Sequence, residues 1–238
     1  MAIKQEVFPL ESSPLTEEQT LFEAGRAVRS LSHFVKNLLQ MVGGSAEVAQ
    51  TSLQTGNSKC LEKSLNLLLP NLERLRRTVL DLCEYSRIRP IEAAVCDIKT
   101  LWENALADLP AAGKEKLPPI TLQTDSRLPC AYLDSDKIRQ MFRHILIFLL
   151  DQKADSISVE IRILPNPPQW FISFAWEGIL PENPHSLFEP AEPQGSQWGT
   201  GLDLPLAARF IHQHNGHMEA VQEGKNALLR LYLPSQTF

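Results

Sequence analysis

Apolar residues return at Leu21, Ala24, Val28, Leu31, Val35, Leu38 and Val42 in alternating steps of three and four. This is the spacing of a helix that packs along a seam against other helices. The pattern predicts a helix from Leu15 or Thr16 to about Leu53. It is opened by the capping box Thr16-Glu17-Glu18-Gln19, whose acidic pair suits the positive end of the helix dipole. Gly43-Gly44 interrupts the run, each glycine costing up to about 1 kcal/mol relative to alanine, and predicts a bend or the close approach of another backbone. Thr55-Gly56-Asn57-Ser58 supplies a turn with Ser58 as N-cap. A second helix then runs to Ile88, with Leu61, Leu65, Leu68, Leu72, Leu75, Val79 and Leu82 in the same alternation and a bend expected near Pro70. The two helices pair as an antiparallel hairpin. The apolar stripes left over are buried most economically against a second copy, giving a homodimeric four-helix bundle.

Beyond Arg89-Pro90 the pattern changes. Asp97 to Leu109 reads as a helix, Pro110 to Pro119 as a loop, and Ile120 to Thr124 as a strand. Ser135 to Leu150 is a strongly apolar helix. Strands at Ser156 to Leu164 and Trp170 to Ala175 flank a proline-rich turn. Pro181 to Gly201 is loop-like. A helix from Leu202 to His214 ends at Asn215-Gly216, and strands at His217 to Gln222 and Ala227 to Leu233 close the chain. The order predicts an α+β sandwich with helices on one face of a mixed sheet. Three segments result: a lead-in over 1–14, marked by Pro9 and Pro14, the hairpin over 15–90, and the sandwich over 91–238.

With 238 residues, 43% of them apolar, the chain can bury a core. A net charge of −5 and a pI near 5.7, with no basic cluster, argue against nucleic acid as partner. No apolar run reaches a membrane span and the N-terminus lacks a secretory core, so the expected location is the cytoplasm. Cys60, Cys83, Cys96 and Cys130 show no CxxC spacing, so they are expected as reduced, mostly buried thiols and not as a metal site or disulfides.

With Val28 and Leu31 facing inward, His33 falls at the outermost position of the first helix and Asn37 lies one turn on. A histidine on a surface helix is ordinarily just solvated. Yet imidazole is nucleophilic near neutral pH, and an amide at i+4 can position a water or a phosphoryl oxygen. His212, His214 and His217 cluster near a helix end but lack a ligand frame and are expected on the surface. Trp198 is expected to be a packed loop anchor.

Five stretches in order resemble one family. SLSHFVKNLLQ stands as an H-box around His33, and LRRTVLDLCEYSR from Leu75 resembles the ending of that family's second helix. LDSDKIRQMFRHILIFLLD from Leu133, with Asp134 and Gln140, has the spacing of an N-box. LFEPAEP at Leu187 resembles an F-box, and GTGLDLPLAARFIHQHNGHMEA at Gly199 a final glycine-rich box. Together they resemble the core of two-component sensor histidine kinases: a dimerising hairpin with a phosphoaccepting histidine, then an ATP-binding sandwich of the gyrase and Hsp90 kind. The likeness covers about Leu15 to Leu233.

The departures cut into the nucleotide site that the resemblance implies. Phe148 stands where an asparagine would help hold magnesium, and His144 replaces another asparagine. Phe174 replaces the adenine-binding aspartate and Trp176 a glycine, so only Gly178 remains of that box. Gly199 and Gly201 survive in GTGLDL, but the third glycine is Asp203. Phe34 stands where an acidic residue would follow the histidine. The resemblance thus implies phosphoryl exchange between His33 and a receiver-domain aspartate of a response regulator. Lys36 and Asn37 would assist, and no ATP, magnesium or other metal is expected. Asn37-dependent phosphatase activity, a non-enzymatic scaffold and an active kinase stay open as alternatives. Phe148, Phe174 and Trp176 are expected to fill the old pocket.

Overall fold

The computed structural model describes residues 17–87, 89–125, 128–193 and 195–235. The lead-in and its capping Thr16 lie outside them. Helix α1 (Glu17–Gln54) runs antiparallel to α2 (Ser58–Tyr85). Gly43 and Gly44 neither break α1 nor meet another chain segment: a Cβ on either would find open space. The cap of α2 is Asn57, whose side chain accepts from the Cys60 amide, and not Ser58. The helix continues through Pro70.

The seam inside the hairpin is half of the predicted one. Ala24, Leu31 and Leu38 are buried as expected, but they are joined by Ala27 and Phe34. Leu21 and Val28 are exposed, as are Leu65, Leu72 and Val79 on α2, whereas Leu61, Leu68, Leu75 and Leu82 are half-buried. The heptad pattern therefore splits into two stripes. One closes the hairpin and the other remains on its flank, because a helix in a two-helix pair can turn only one edge of a broad apolar face to its partner.

A small antiparallel pair, β1 (Ala94–Cys96) and β3 (Ala131–Leu133), brackets helix α3 (Ile98–Ala107), the single turn α4 (Ala111–Lys114) and β2 (Ile120–Thr124). After α5 (Ser135–Asp151) come β4 (Ile157–Pro165), β5 (Pro168–Glu177), a 3-10 turn (Pro184–Phe188), α6 (Asp203–Gln213), β6 (His217–Glu223) and β7 (Asn226–Pro234). The sheet order is β2-β4-β5-β7-β6, parallel between β2 and β4 and antiparallel elsewhere. The fold is α+β, as the alternating patterns predict. One sheet face carries Val159, Ile161, Trp170, Ile172, Phe174, Leu229 and Leu231, all buried against α3, α5 and α6. The opposite face carries Arg162 over the Phe171 ring and His217 stacked on Tyr232. Period-two alternation sorts these side chains between core and solvent. The cysteines are less buried than expected, Cys83 and Cys130 exposed and Cys60 and Cys96 half-buried.

His214 corrects the surface reading of the histidine cluster. It is buried, its Nε2 accepts from the Asp134 amide at 3.0 Å and its Nδ1–H donates to the Phe210 carbonyl at 2.7 Å. The ring ties the end of α6 to the start of α5, where Asp134 caps the helix by accepting from the Lys137 amide. Burial pushes this imidazole below its ordinary value of 6.5, the bond to Phe210 opposing. With the folded value depressed, the neutral ring's contribution to stability is complete above 6.5 and is lost as pH falls through the folded value. Thermal melting points are expected to drop from pH 7 towards pH 5, and His214→Gln is expected to flatten that part of the curve.

Candidate functional site

His33 sits in the middle of α1, on the side turned away from α2, with 71% of its side chain exposed. Asn37, one turn on, brings its amide nitrogen to 3.2 Å from His33 Nδ1, and Glu192 brings a carboxylate oxygen to 3.1 Å from the same atom. Lys36 is exposed and makes no hydrogen bond among the described residues. Phe34 is absent from this group for a packing reason: it belongs to the hairpin seam, where the Arg74 guanidinium lies 4.7 Å from its ring centre.

The positions that the resemblance assigns to a nucleotide site are spread over two places. Phe174 is fully buried among Trp102 and Phe142, with ring centres 5.8 and 6.4 Å away. Trp176 is buried and meets the half-buried Phe148 ring edge-on at 5.9 Å. Gly178 lies against Trp176, whose ring nitrogen would be 2.8 Å from a Cβ there. A cavity of about 470 Å³ lies beside Phe148, Asp151, Glu189, Glu192, Gly201 and Asp203, so the aromatics do not close this region.

The loop that carries Gly199 and Gly201 has partners of its own. The amides of Gln197, Trp198 and Gly199 all donate to Asp151 at 2.9, 3.2 and 2.9 Å, and the Ser196 hydroxyl joins them at 2.6 Å. A carboxylate from the end of α5 thus sits in the nest of N–H groups that an anion would otherwise occupy. Gly199 fits because a Cβ would crowd Asp203 at 3.0 Å and Asp151 at 3.2 Å. Gly201 has φ +82° and lies so close to the Ala191 carbonyl that a Cβ would come within 1.9 Å. Gly201 is therefore required by the loop's own packing, whereas a side chain at 199 would need its neighbours to give by a few tenths of an ångström.

The hairpin holds this loop from the other side. Arg74 donates to the carbonyls of Ser196 and Gly199 at 2.6 and 3.1 Å, and Arg77 to that of Trp198 at 2.9 Å. Burial pushes the Arg74 guanidinium down, with the Asp151 carboxylate opposing. Deeper in, Asp203, which also borders the cavity, has partners of its own. It accepts from the Thr200 amide at 2.8 Å, and His144 Nδ1 lies 3.2 Å from it. The Thr200 hydroxyl donates to Asp81 of α2 at 2.8 Å, and His144 Nε2 stands 4.0 Å from Asp81. All four side chains are buried. Burial pushes the Asp81 carboxyl above the usual aspartate range, with His144 opposing. Two positions that depart from the kinase pattern, His144 and Asp203, thus join the hairpin to the sandwich.

No family model matches the chain. It is 23% identical over 92% of its length to the signal transduction histidine-protein kinase AtoS of Escherichia coli, covering 36% of that protein. It is 24% identical over 86% of its length to the sensory histidine kinase/phosphatase NtrB of Rhodobacter capsulatus, covering 60%. Among solved structures, histidine kinase ThkA in complex with response regulator TrrA superposes with a TM-score of 0.72. That match has 16% identity over 93% of this chain and 64% of that one. The chain has the fold of these histidine-kinase cores, a helical hairpin followed by an α+β sandwich. It spans only about a third to three fifths of the length of these curated relatives. Among the described residues no helix is long and apolar enough to cross a membrane.

Sequence reasoning placed Asn37 beside His33, as the structure does, and gave no place to Glu192, Arg74, Arg77, Asp81 or Asp151. Arg74 precedes, and Arg77 and Asp81 lie within, the LRRTVLDLCEYSR stretch of the second helix, and Glu192 is in LFEPAEP. Their partners are 45 to 159 positions away in the chain, and pairing over such distances leaves no local periodicity to read.

Proposed function

We propose that the chain is a histidine phosphotransfer protein of two-component signalling, in which a phosphoryl group passes between His33 and the aspartate of a receiver domain. The exposed His33 ring on the outer face of α1, with Asn37 beside it, carries this reading. The complex solved for ThkA with a response regulator supports a receiver as partner. Lys36 stands near enough along the same helix to meet a phosphoryl oxygen from a docked receiver. In this proposal ATP and magnesium binding are lost. Three features support this: the N–H nest of the 196–199 loop is filled by Asp151, Phe148 supplies no metal ligand, and Trp176 brings a large ring, packed on Phe148, to a position where the resemblance implies a glycine. Titration calorimetry with magnesium-ATP is expected to give no saturable heat up to millimolar nucleotide. A micromolar dissociation constant would return the chain to the active kinases.

The working unit is a homodimer. Leu21, Val28, Leu65, Leu72 and Val79 form an exposed stripe of the kind that four-helix bundles bury. Light scattering at micromolar concentration should give twice the chain mass. Val28→Glu paired with Leu72→Glu should give the single-chain mass with helical content kept. A wild-type monomer would remove the dimer from the proposal.

A further inference from the structure

Resting on the phosphotransfer reading, we infer that Glu192 is the positioning residue for His33, a carboxylate delivered from the sandwich to set the tautomer of a ring on the hairpin. The segment that bears it runs along α1. Arg26 meets Glu189 at 3.2 Å, and seven residues further along the helix His33 meets Glu192 at 3.1 Å. Seven residues are two helical turns, so the two contacts lie on one side of α1. Behind the segment, Gly201 packs against the Ala191 carbonyl and the Leu31 side chain, and the Ala191 amide donates to the Gly201 carbonyl at 3.3 Å. The retained glycine at 201 thereby holds the backbone that places Glu192. The loop that follows is clamped to α2 by Arg74 and Arg77.

The chemistry follows from which nitrogen is engaged. Among the described residues both polar contacts of the ring fall on Nδ1. A carboxylate only accepts, so Glu192 fixes the proton on Nδ1, and the Asn37 amide serves the same N–H when its oxygen is turned to the ring. The lone pair is then on Nε2, which faces away from both partners. In the transfer, Nε2 attacks the phosphorus of an aspartyl phosphate. The N–P bond forms as the P–O bond to the aspartate breaks, and the aspartate leaves with that electron pair as a carboxylate. The ring becomes cationic, and its Nδ1–H lies against Glu192, which stabilises the charge. The reverse transfer starts from that stabilised cation. Phe34 leaves no carboxylate next to His33 in the chain, and Glu192 supplies one through the fold.

The test uses the full chain, labelled with nitrogen-15 in histidine. Wild-type His33 is expected to show the shifts of the Nδ1–H tautomer. Glu192→Ala is expected to move it to the Nε2–H form that a free imidazole prefers. Phosphorylation by phosphoramidate, a small donor that needs no docking surface, is expected to slow by about ten- to a hundredfold in Glu192→Ala. Glu192→Gln keeps a neutral acceptor and should fall between. If wild type is phosphorylated while Glu192→Ala keeps both tautomer and rate, the inference is overturned and phosphotransfer stands. A tautomer change with no change in rate also overturns it. If the tautomer responds to Glu192 but wild-type His33 takes no phosphoryl group from phosphoramidate or any receiver, the positioning contact stands and the phosphotransfer reading falls.

Discussion

His33→Gln is expected to abolish phosphoryl transfer from a phosphorylated receiver, by about a thousandfold or more, while leaving the fold, the dimer and receiver binding intact. The loss should be complete in practice because the amide of glutamine has no nucleophilic lone pair. Of the other histidines, His144 and His214 are buried, His212 is half-buried, His217 lies on the far face of the sheet against Tyr232, and the exposed His185 is in the short 3-10 turn and not on the hairpin. The fold should survive because the His33 side chain is largely in solvent, and exchanges at such positions cost little. Pull-down of the receiver by the variant, together with loss of acid-labile label, separates a missing nucleophile from a missing docking surface. Retention of label on the variant would mean that another residue accepts the phosphoryl group.

Much of this was legible in the chain, and the reasons for success and failure are physical. The helices and strands were readable because their periods are local. Residues three and four apart share a helix face, residues two apart share a sheet face, and neither needs a partner to be known. The outward position of His33 followed from the same periodicity. The heptad seam was overread because α1 carries a broad apolar face, and local spacing does not tell which edge meets α2 and which is left on the flank: Leu31 is buried and Val28 is not. His214 was misplaced for a related reason. A polar residue at a helix end is ordinarily solvated, and only the arrival of the Asp134 amide from another element makes its burial affordable. Asp203 was readable as a departure from the glycine pattern, whereas its use as the partner of His144 and Thr200 depends on elements far apart in sequence.

That buried group yields the second large effect. His144→Ala is expected to destabilise the chain by about 3 to 5 kcal/mol, the cost of leaving buried charge without its partner. Asp81 and Asp203 are both buried, and His144 lies between them at 4.0 and 3.2 Å. Removing the ring leaves two carboxylates facing one another, with Thr200 already committed to both and Arg143 no nearer than 4.0 Å to Asp81 to offset them. For a chain of this size that corresponds to a melting point lower by roughly 10 °C. By contrast, Arg139→Ala breaks an exposed pair with Asp108 and should cost under about 1 kcal/mol. Because Asp81 is on α2 and its partners His144 and Thr200 are on α5 and in the loop before α6, the His144 variant should also raise hydrogen exchange in the 196–200 loop that Arg74 and Arg77 clamp. A melting point within a degree or two of wild type would show that the group does not couple hairpin to sandwich.

The most direct test of phosphotransfer without ATP is a label-transfer experiment run in two arms on the wild-type chain. In one, a receiver domain carrying radiolabelled aspartyl phosphate is mixed with the protein in the absence of nucleotide. In the other, the protein is incubated with radiolabelled magnesium-ATP alone. Acid-labile, base-stable label on His33 in the first arm and none in the second is the predicted result. Label on His33 in the ATP arm, or none in the receiver arm with every receiver that binds, would contradict it.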